Sequence, residues 1–259
     1  MMDGDCIGIV YRVKYFYHST IVKIRKVIEA FKNPLLFKAL LNGVGAGIEH
    51  KSLLSNLDCR YIADIGANRG QFALIARCCF PDAKIVSFEP LERPTTIYKN
   101  IFQSEDGVVL YNSAIGPVNC KKEINITAAD DSSSLLEITP KQQELFPGCD
   151  QVGTSQIDVR TLDEFISREE IVTPALIKID VQGYELEVLK GCGSLIDKFK
   201  WVYCECSLIE LYRNQSLAGD VIKWLDLKGF YLRSIHNMEY DNSGISVQAD
   251  FLFEKNGSN

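Results

Sequence analysis

Tyr61-Ile-Ala-Asp-Ile-Gly-Ala-Asn-Arg-Gly-Gln-Phe72 reads as an apolar strand ending in an acid, Asp64, followed by a glycine turn and the start of an amphipathic helix. Such a turn aims backbone N–H groups and the positive helix end at a ligand, and glycine lets that ligand touch the backbone. A dinucleotide fingerprint has its outer glycines five positions apart. Here Gly66 and Gly70 are four apart, with Asn68 between them, a spacing that disfavours a nicotinamide cofactor. An acid just before the glycines also sits poorly beside a pyrophosphate and suits a ligand with an ammonium or sulfonium charge.

Beyond the following helix, Lys84-Ile-Val-Ser-Phe-Glu-Pro90 is a second strand closed by an acid, Glu89. A carboxylate there can accept both ribose hydroxyls of an adenosine. Asp64, Gly66, Asn68, Gly70 and Glu89 together make S-adenosylmethionine the expected cofactor. If the two acids were only helix caps, their placement at two successive strand ends would be a coincidence. Asn112 and Ser113, in the third strand Val108–Ala114, are candidates to flank the adenine edge or to cap a turn.

The fourth element is Ala175-Leu-Ile-Lys-Ile-Asp-Val-Gln-Gly-Tyr-Glu-Leu-Glu-Val-Leu-Lys-Gly191. Asp180 closes a strand whose apolar run only Lys178 interrupts, and Gly183 permits a sharp entry into a helix that Gly191 ends. Carboxyl ends of strands in an open α/β sheet line the ligand crevice, so Asp180 is a candidate catalytic acid, with helix capping as its other role. Glu205, after Trp201–Cys204, is expected at the next strand end beside the same crevice. Two such acids can position a hydroxyl or take its proton; further oxygen or imidazole ligands for a metal are missing from the pattern, and no metal is expected. His18, His50 and His236 lie outside every motif and read as surface or loop residues. Tyr184, Tyr203 and Tyr212 read as packing residues or as platforms for a sugar ring.

Outward from these motifs, strands and helices alternate from Arg60 onward, the pattern of an α/β fold with a mainly parallel sheet. The expected strands are Tyr61–Ile65, Lys84–Phe88, Val108–Ala114, Leu176–Ile179, Trp201–Cys204, Phe230–Ile235 and one near Ile245–Phe253. The expected helices are Gln71–Cys79, Pro94–Gln103, Tyr184–Phe199 and Leu217–Leu227. An insertion over residues 122–158 breaks the alternation with extra strands at Glu123–Thr127 and Gln156–Val159. Its polar loop Asp130–Ser134 is either a lid or a solvated connection, and a capped helix is expected at Thr161. Residues 1–57 form a helical extension and residues 58–259 the main domain. Apolar positions between Ser19 and Leu41 recur at helical spacing until Pro34 kinks or restarts the helix, and Gly43–Gly47 reads as a flexible joint.

The chain of 259 residues has 28 Lys and Arg against 34 Asp and Glu, a net charge of −6. That is the wrong sign for a protein coating nucleic acid, and no nucleic-acid partner is expected. Residues 1–32 run the other way: Arg12, Lys14, Lys23, Arg25, Lys26 and Lys32 oppose Asp3, Asp5 and Glu29. A basic amphipathic segment packs on the main domain or rests on an anionic membrane surface, here through residues 7–32. Nine cysteines without a Cys-x-x-Cys fit free thiols in a reducing compartment. No run is long and apolar enough to span a bilayer, and acids precede the first apolar run, unlike a secretory leader. A cytoplasmic location is expected, with peripheral membrane contact through the N-terminal segment as the alternative.

The elements Asp64–Phe72, Phe88–Pro90, Ser133–Leu135, Thr161–Asp163, Ile177–Gly191 and Glu205, in this order, resemble the FkbM family of S-adenosylmethionine-dependent methyltransferases. The likeness covers residues 60–206 and reaches loosely to 254. It implies a class I methyltransferase, Rossmann-like sheet of seven strands with helices on both faces and strand order 3-2-1-4-5-7-6, the last strand antiparallel. Asp64 and Asp180 would then lie on opposite sides of the cofactor's methionine end. It also implies methylation of a hydroxyl on a carbohydrate, glycolipid or sugar-bearing natural product. A glutamate is common in the family where this chain has Gln182, which leaves only a hydrogen bond at that position. The rival functions are a nicotinamide-dependent oxidoreductase and a non-catalytic binding or scaffold protein of the same fold.

Overall fold

Strands that are apolar at every position need cover on both faces, the environment of parallel strands inside an α/β sheet. The computed structural model describes residues 26–31, 33–128 and 130–257. Its strands are β1 (Tyr61–Ile65), β2 (Lys84–Phe88), β3 (Val108–Tyr111), β4 (Ala114–Ile115), β5 (Cys120–Thr127), β6 (Gln151–Arg160), β7 (Ala175–Ile179), β8 (Trp201–Ser207), β9 (Phe230–Tyr240) and β10 (Ser246–Lys255). Its helices are α1 (Pro34–Leu41), α2 (Lys51–Leu54), α3 (Gln71–Cys79), α4 (Glu92–Phe102), α5 (Pro140–Leu145), α6 (Glu185–Gly191) and α7 (Ala218–Leu227).

Seven strands form one sheet in the order β3-β2-β1-β7-β8-β10-β9. β1 pairs in parallel with β2 and β7, β2 with β3 and β7 with β8, whereas β10 runs antiparallel between β8 and β9. Counted along the chain within this sheet, the order is 3-2-1-4-5-7-6, as the resemblance implies. The chain leaves β1 toward β3 and returns beside it as β7, so the switch point lies between β1 and β7. β1 and β7 are buried at every residue. Alternate side chains enter two cores: Ile62, Leu176, Trp201 and Leu252 pack with α1 to α4, and Tyr61, Ile177, Val202 and Phe251 pack with α6 and α7.

Several boundaries differ from the expected ones. β3 stops at Tyr111 because the Asn112 amide donates to the carbonyls of Glu89 and Pro90 and turns the chain out of the sheet. Ala114–Ile115 then joins a separate three-stranded sheet, β4-β6-β5, built from the insertion. The expected helix Tyr184–Phe199 is divided: α6 ends at Gly191, Gly193 takes φ 54, and a 3-10 segment, Gly193–Lys198, follows. Thr161 caps no helix; its N–H and hydroxyl donate to Asn119 Oδ1, and Leu162–Glu164 is one 3-10 turn.

In the N-terminal region the chain is helical over residues 26–30 and restarts as α1 at Pro34, where Asn33 Oδ1 accepts from the N–H of Leu35 and Leu36. Leu36, Ala39, Val44, Ala46 and Leu54 are buried in the same core as α3 and α4. Residues 43–47 are therefore packed, in place of the expected flexible joint, and Gly47 N–H donates to Gln71 O. Of residues 7–32, expected to pack on the main domain or to rest on a membrane surface, 7–25 and 32 lie outside the described residues. Among those described, Val27, Ile28 and Phe31 are exposed, and no helix is long and apolar enough to cross a membrane. Eight described cysteines are free thiols.

Candidate functional site

The site starts where β1 turns into α3. Gly66, at φ 80, passes so close to β7 that a Cβ there would lie 1.9 Å from the Asp180 carbonyl oxygen. Only glycine fits without moving one of the two strands. Gly66 and Ala67 donate to Phe88 O, while the N–H groups of Asn68 and Leu91 each donate to one oxygen of Glu89, both at 2.9 Å. The ends of β1 and β2 are thereby tied together, and each Glu89 oxygen keeps a further acceptor site.

These residues border one cavity of about 680 Å³, a figure that includes the open space at its mouth. Gly66, Asn68, Glu89, Ser113 and Asp180 contribute to its walls, and Tyr184 lines it as well. Residues of the insertion, Asp131, Ser133, Ser134 and Leu135, complete it. The Asn68 backbone is at φ 47, and its buried Oδ1 has no hydrogen-bond partner. An unpaired buried acceptor costs about 1–3 kcal/mol, which a ligand with a suitable donor would recover.

The other expected site residues lie outside the cavity wall. Gly70 serves packing: a Cβ there would meet the rings of Phe102 at 2.7 Å and Tyr98 at 3.0 Å. Asn112 braces the β2–α4 connection. Asp64 is fully buried, and neither carboxylate oxygen accepts a hydrogen bond. Glu205 lies within β8, which continues to Ser207, rather than at a strand end.

Asp64 and Asp180 do not face each other across open space, because Lys178 stands between them. The register sets Lys178 opposite Asp64 on β1 and Tyr203 on β8. Its Nζ lies 3.6 Å from Asp64 Oδ1 and 3.2 Å from Asp180 Oδ2, and donates to Gly66 O at 3.3 Å. Burial pushes the Asp64 carboxyl up to about 6 against the pull of Lys178. At Asp180 burial works in the same direction, but the Lys178 ammonium and a hydrogen bond from Gln182 prevail and hold the carboxyl below its usual range. Glu205 moves the other way: burial, then the neighbouring charges of Asp180 and Asp250, raise it well above the ordinary range. Two carboxyls in one site are thus driven apart, one ionised and one a ready proton holder.

Gln182 connects them. Its Nε2 donates to Asp180 Oδ1 at 2.9 Å and to Glu205 Oε2 at 3.0 Å, far more than the single bond expected of it. Gln248 of β10 extends the chain, donating to Glu205 Oε1 and Glu239 Oε2.

His50 is the residue that motif reading overlooked. It is a half-buried side chain at the end of a 3-10 turn, set edge-on to Phe72 and Tyr203 at centroid distances of 5.5 and 5.6 Å. Its Nδ1 lies 2.9 Å from Tyr203 Oη, and Tyr203 donates to Asp250 Oδ2 at 2.9 Å. Burial lowers the imidazole's pKa against the pull of Asp250. An isolated histidine 14 positions before Asp64 carries no local signal of this.

The buried acids tie stability to pH. Burial raises Asp64 to about 6 and Glu89 and Glu185 to about 7, against roughly 4 in an unfolded chain. The stability they lend is complete below the unfolded value and is lost as pH rises through the folded one. Asp180 acts in the opposite sense, and only below the usual carboxylate range. The thermal midpoint is expected to fall between about pH 5 and pH 8; a midpoint that climbs over this interval contradicts the assignment.

A family model described as the methyltransferase FkbM domain matches residues 64–232. The chain is 24% identical over 185 residues to Methyltransferase 1 of Beauveria bassiana, spanning 67% of this chain and 73% of that protein. It is 26% identical over 174 residues to the 2-O-methyltransferase NoeI of Sinorhizobium fredii, spanning 64% and 72%. To the hexuronic acid methyltransferase AglP of Haloferax volcanii it is 28% identical over 142 residues, spanning 55% and 54%. His50 and Asp250 lie outside residues 64–232.

Proposed function

Because the chain belongs to the FkbM methyltransferase family, we propose that it moves a methyl group from S-adenosylmethionine to a hydroxyl oxygen of a carbohydrate or glycolipid. One observation carries this reading: Gly66, Asn68, Glu89 and Asp180 converge on a single cavity at the switch point. The names of two relatives, a 2-O-methyltransferase and a hexuronic acid methyltransferase, support oxygen and sugar as the target. A nicotinamide-dependent reaction gains support neither from the glycine spacing nor from the family.

The wall fits the cofactor. Glu89 would take the ribose hydroxyls with its free acceptor sites, Ser113 and Leu91 would flank the base, and Asn68 Oδ1 with the ionised Asp180 would receive the cationic amino-acid end. When bound, S-adenosylmethionine supplies a methyl group on a sulfonium centre, ready for in-line displacement. The chain's own task is to orient the acceptor oxygen and exclude water. Asp180, kept ionised by Lys178, orients the hydroxyl, and Glu205, whose proton affinity burial and neighbouring carboxylates raise, accepts its proton.

Calorimetry tests the cofactor assignment. S-adenosylmethionine and S-adenosylhomocysteine are expected to bind and NADH is not, and Glu89→Ala should weaken binding at least roughly tenfold through the lost ribose contacts. A folded protein that binds neither sulfur compound would refute the enzymatic reading and favour a scaffold. Binding would justify a screen of sugars and glycolipids with a methyl-labelled donor.

A further inference from the structure

Gln182 is held more tightly than its place in a loop requires. Its backbone is at φ 57, a region that L residues seldom occupy. Ser134, from the insertion, donates through Oγ to its carbonyl at 2.5 Å. Tyr212 Oη donates to its Oε1 at 2.7 Å, which fixes the orientation of the amide. Both Nε2 protons are therefore aimed at carboxylates, one to Asp180 and one to Glu205. Tyr212 is itself held, its hydroxyl accepting from Gln142 Nε2 at 3.2 Å. Ser134 thus fixes the backbone of Gln182 and Tyr212 its side-chain amide, and both donor protons of that amide go to the two acids.

We propose that Gln182 is a positioning residue of methyl transfer: it clamps Glu205, outside the cavity wall, against Asp180 in that wall, so that the two acids act as a pair on one acceptor hydroxyl. The proposal rests on the methyltransferase reading above. Two carboxylates this close, one just past β7 and one within β8, repel each other unless a donor stands between them. An amide supplies that donor at every pH, whereas a carboxyl in its place supplies it only while protonated.

The groups facing this pair are defined. Asp250 and Gln248 come from β10, Glu239 from β9 and Glu185 from α6, with Lys178 on β7 pairing Asp180. His50 contributes to Asp180 from the α2 side.

Two variants test the clamp in the full-length protein. Gln182→Asn keeps an amide and a residue type that tolerates this backbone, but is one methylene too short to span both acids. It is expected to lower kcat roughly 10- to 100-fold with S-adenosylmethionine affinity, read by calorimetry, within about twofold of wild type. Gln182→Glu is expected to bind an additional proton near neutrality, seen as an upward shift of the Glu205 carboxyl in carbon NMR titration. Its rate of transfer, to the acceptor found in the screen, should become bell-shaped in pH with a falling alkaline limb. A Glu205 titration that superimposes on wild type, or a Gln182→Asn enzyme with unchanged kcat, would overturn the proposal. The NMR arm needs no acceptor, so failure of the clamp is distinguishable from failure of the cofactor reading, which appears as absent S-adenosylmethionine binding.

Discussion

Glu205→Gln is expected to reduce methyl transfer by about 10²- to 10⁴-fold while S-adenosylmethionine still binds. Burial among Asp180, Asp250, Glu185 and Glu239 keeps the Glu205 carboxyl well above its ordinary range. An ionised Glu205 is therefore a stronger base than Asp180, which Lys178 and Gln182 hold low. Asp180 is better suited to orient the acceptor than to take its proton. A glutamine at 205 can still accept from the Gln182 amide through its carbonyl oxygen, so the local structure should survive and the loss reports on proton transfer. The measurement is kcat against pH together with cofactor affinity by calorimetry. A variant within threefold of the wild-type rate would remove Glu205 from the reaction and return the proton to Asp180.

The second large effect is on stability. Lys178→Met keeps the length and apolar stem of the side chain but deletes the ammonium beside a carboxylate that is 0% exposed and accepts no hydrogen bond among the described residues. Removing one partner of a buried ion pair typically costs about 3–5 kcal/mol. Chemical denaturation at pH 7.5 should show a loss of this size. The loss should shrink toward pH 5, where Asp64, already raised to about 6 in the native protein, becomes neutral without its partner. Adding Asp64→Asn should recover most of it, because the buried charge is then gone. A single variant within about 1 kcal/mol of wild type would mean that Asp64 is not charged in the fold.

Both effects centre on residues whose motifs were readable but whose partners were not. Asp180 and Glu205 stand out in sequence as acids after apolar strands. The lysine two positions before Asp180 looks like an interruption, since nothing local reveals that β7 will lie against β1 with Lys178 level with Asp64. His50 and Gln182 are similar cases. The first gains meaning from Tyr203 and Asp250, the second from Tyr212 and Ser134, all far away along the chain.

The glycines divide in the same way. Gly66 and Gly70 were read together as a ligand turn, yet only Gly66 borders the cavity, while Gly70 gives room to Phe102 and Tyr98. Spacing alone cannot distinguish a glycine that admits a ligand from one that admits a neighbouring helix, because both demand the same missing Cβ.

Apolar periodicity, strand-terminal acids and turn residues act over a few neighbouring positions, so the strand and helix succession, the α/β class and the six ordered motif elements are written in the order of residues. Strand register and the meeting of distant loops depend on contacts that exist only once the chain has closed. These contacts alone put an ammonium between Asp64 and Asp180, separate the proton affinities of Asp180 and Glu205, and bring Gln182 between them.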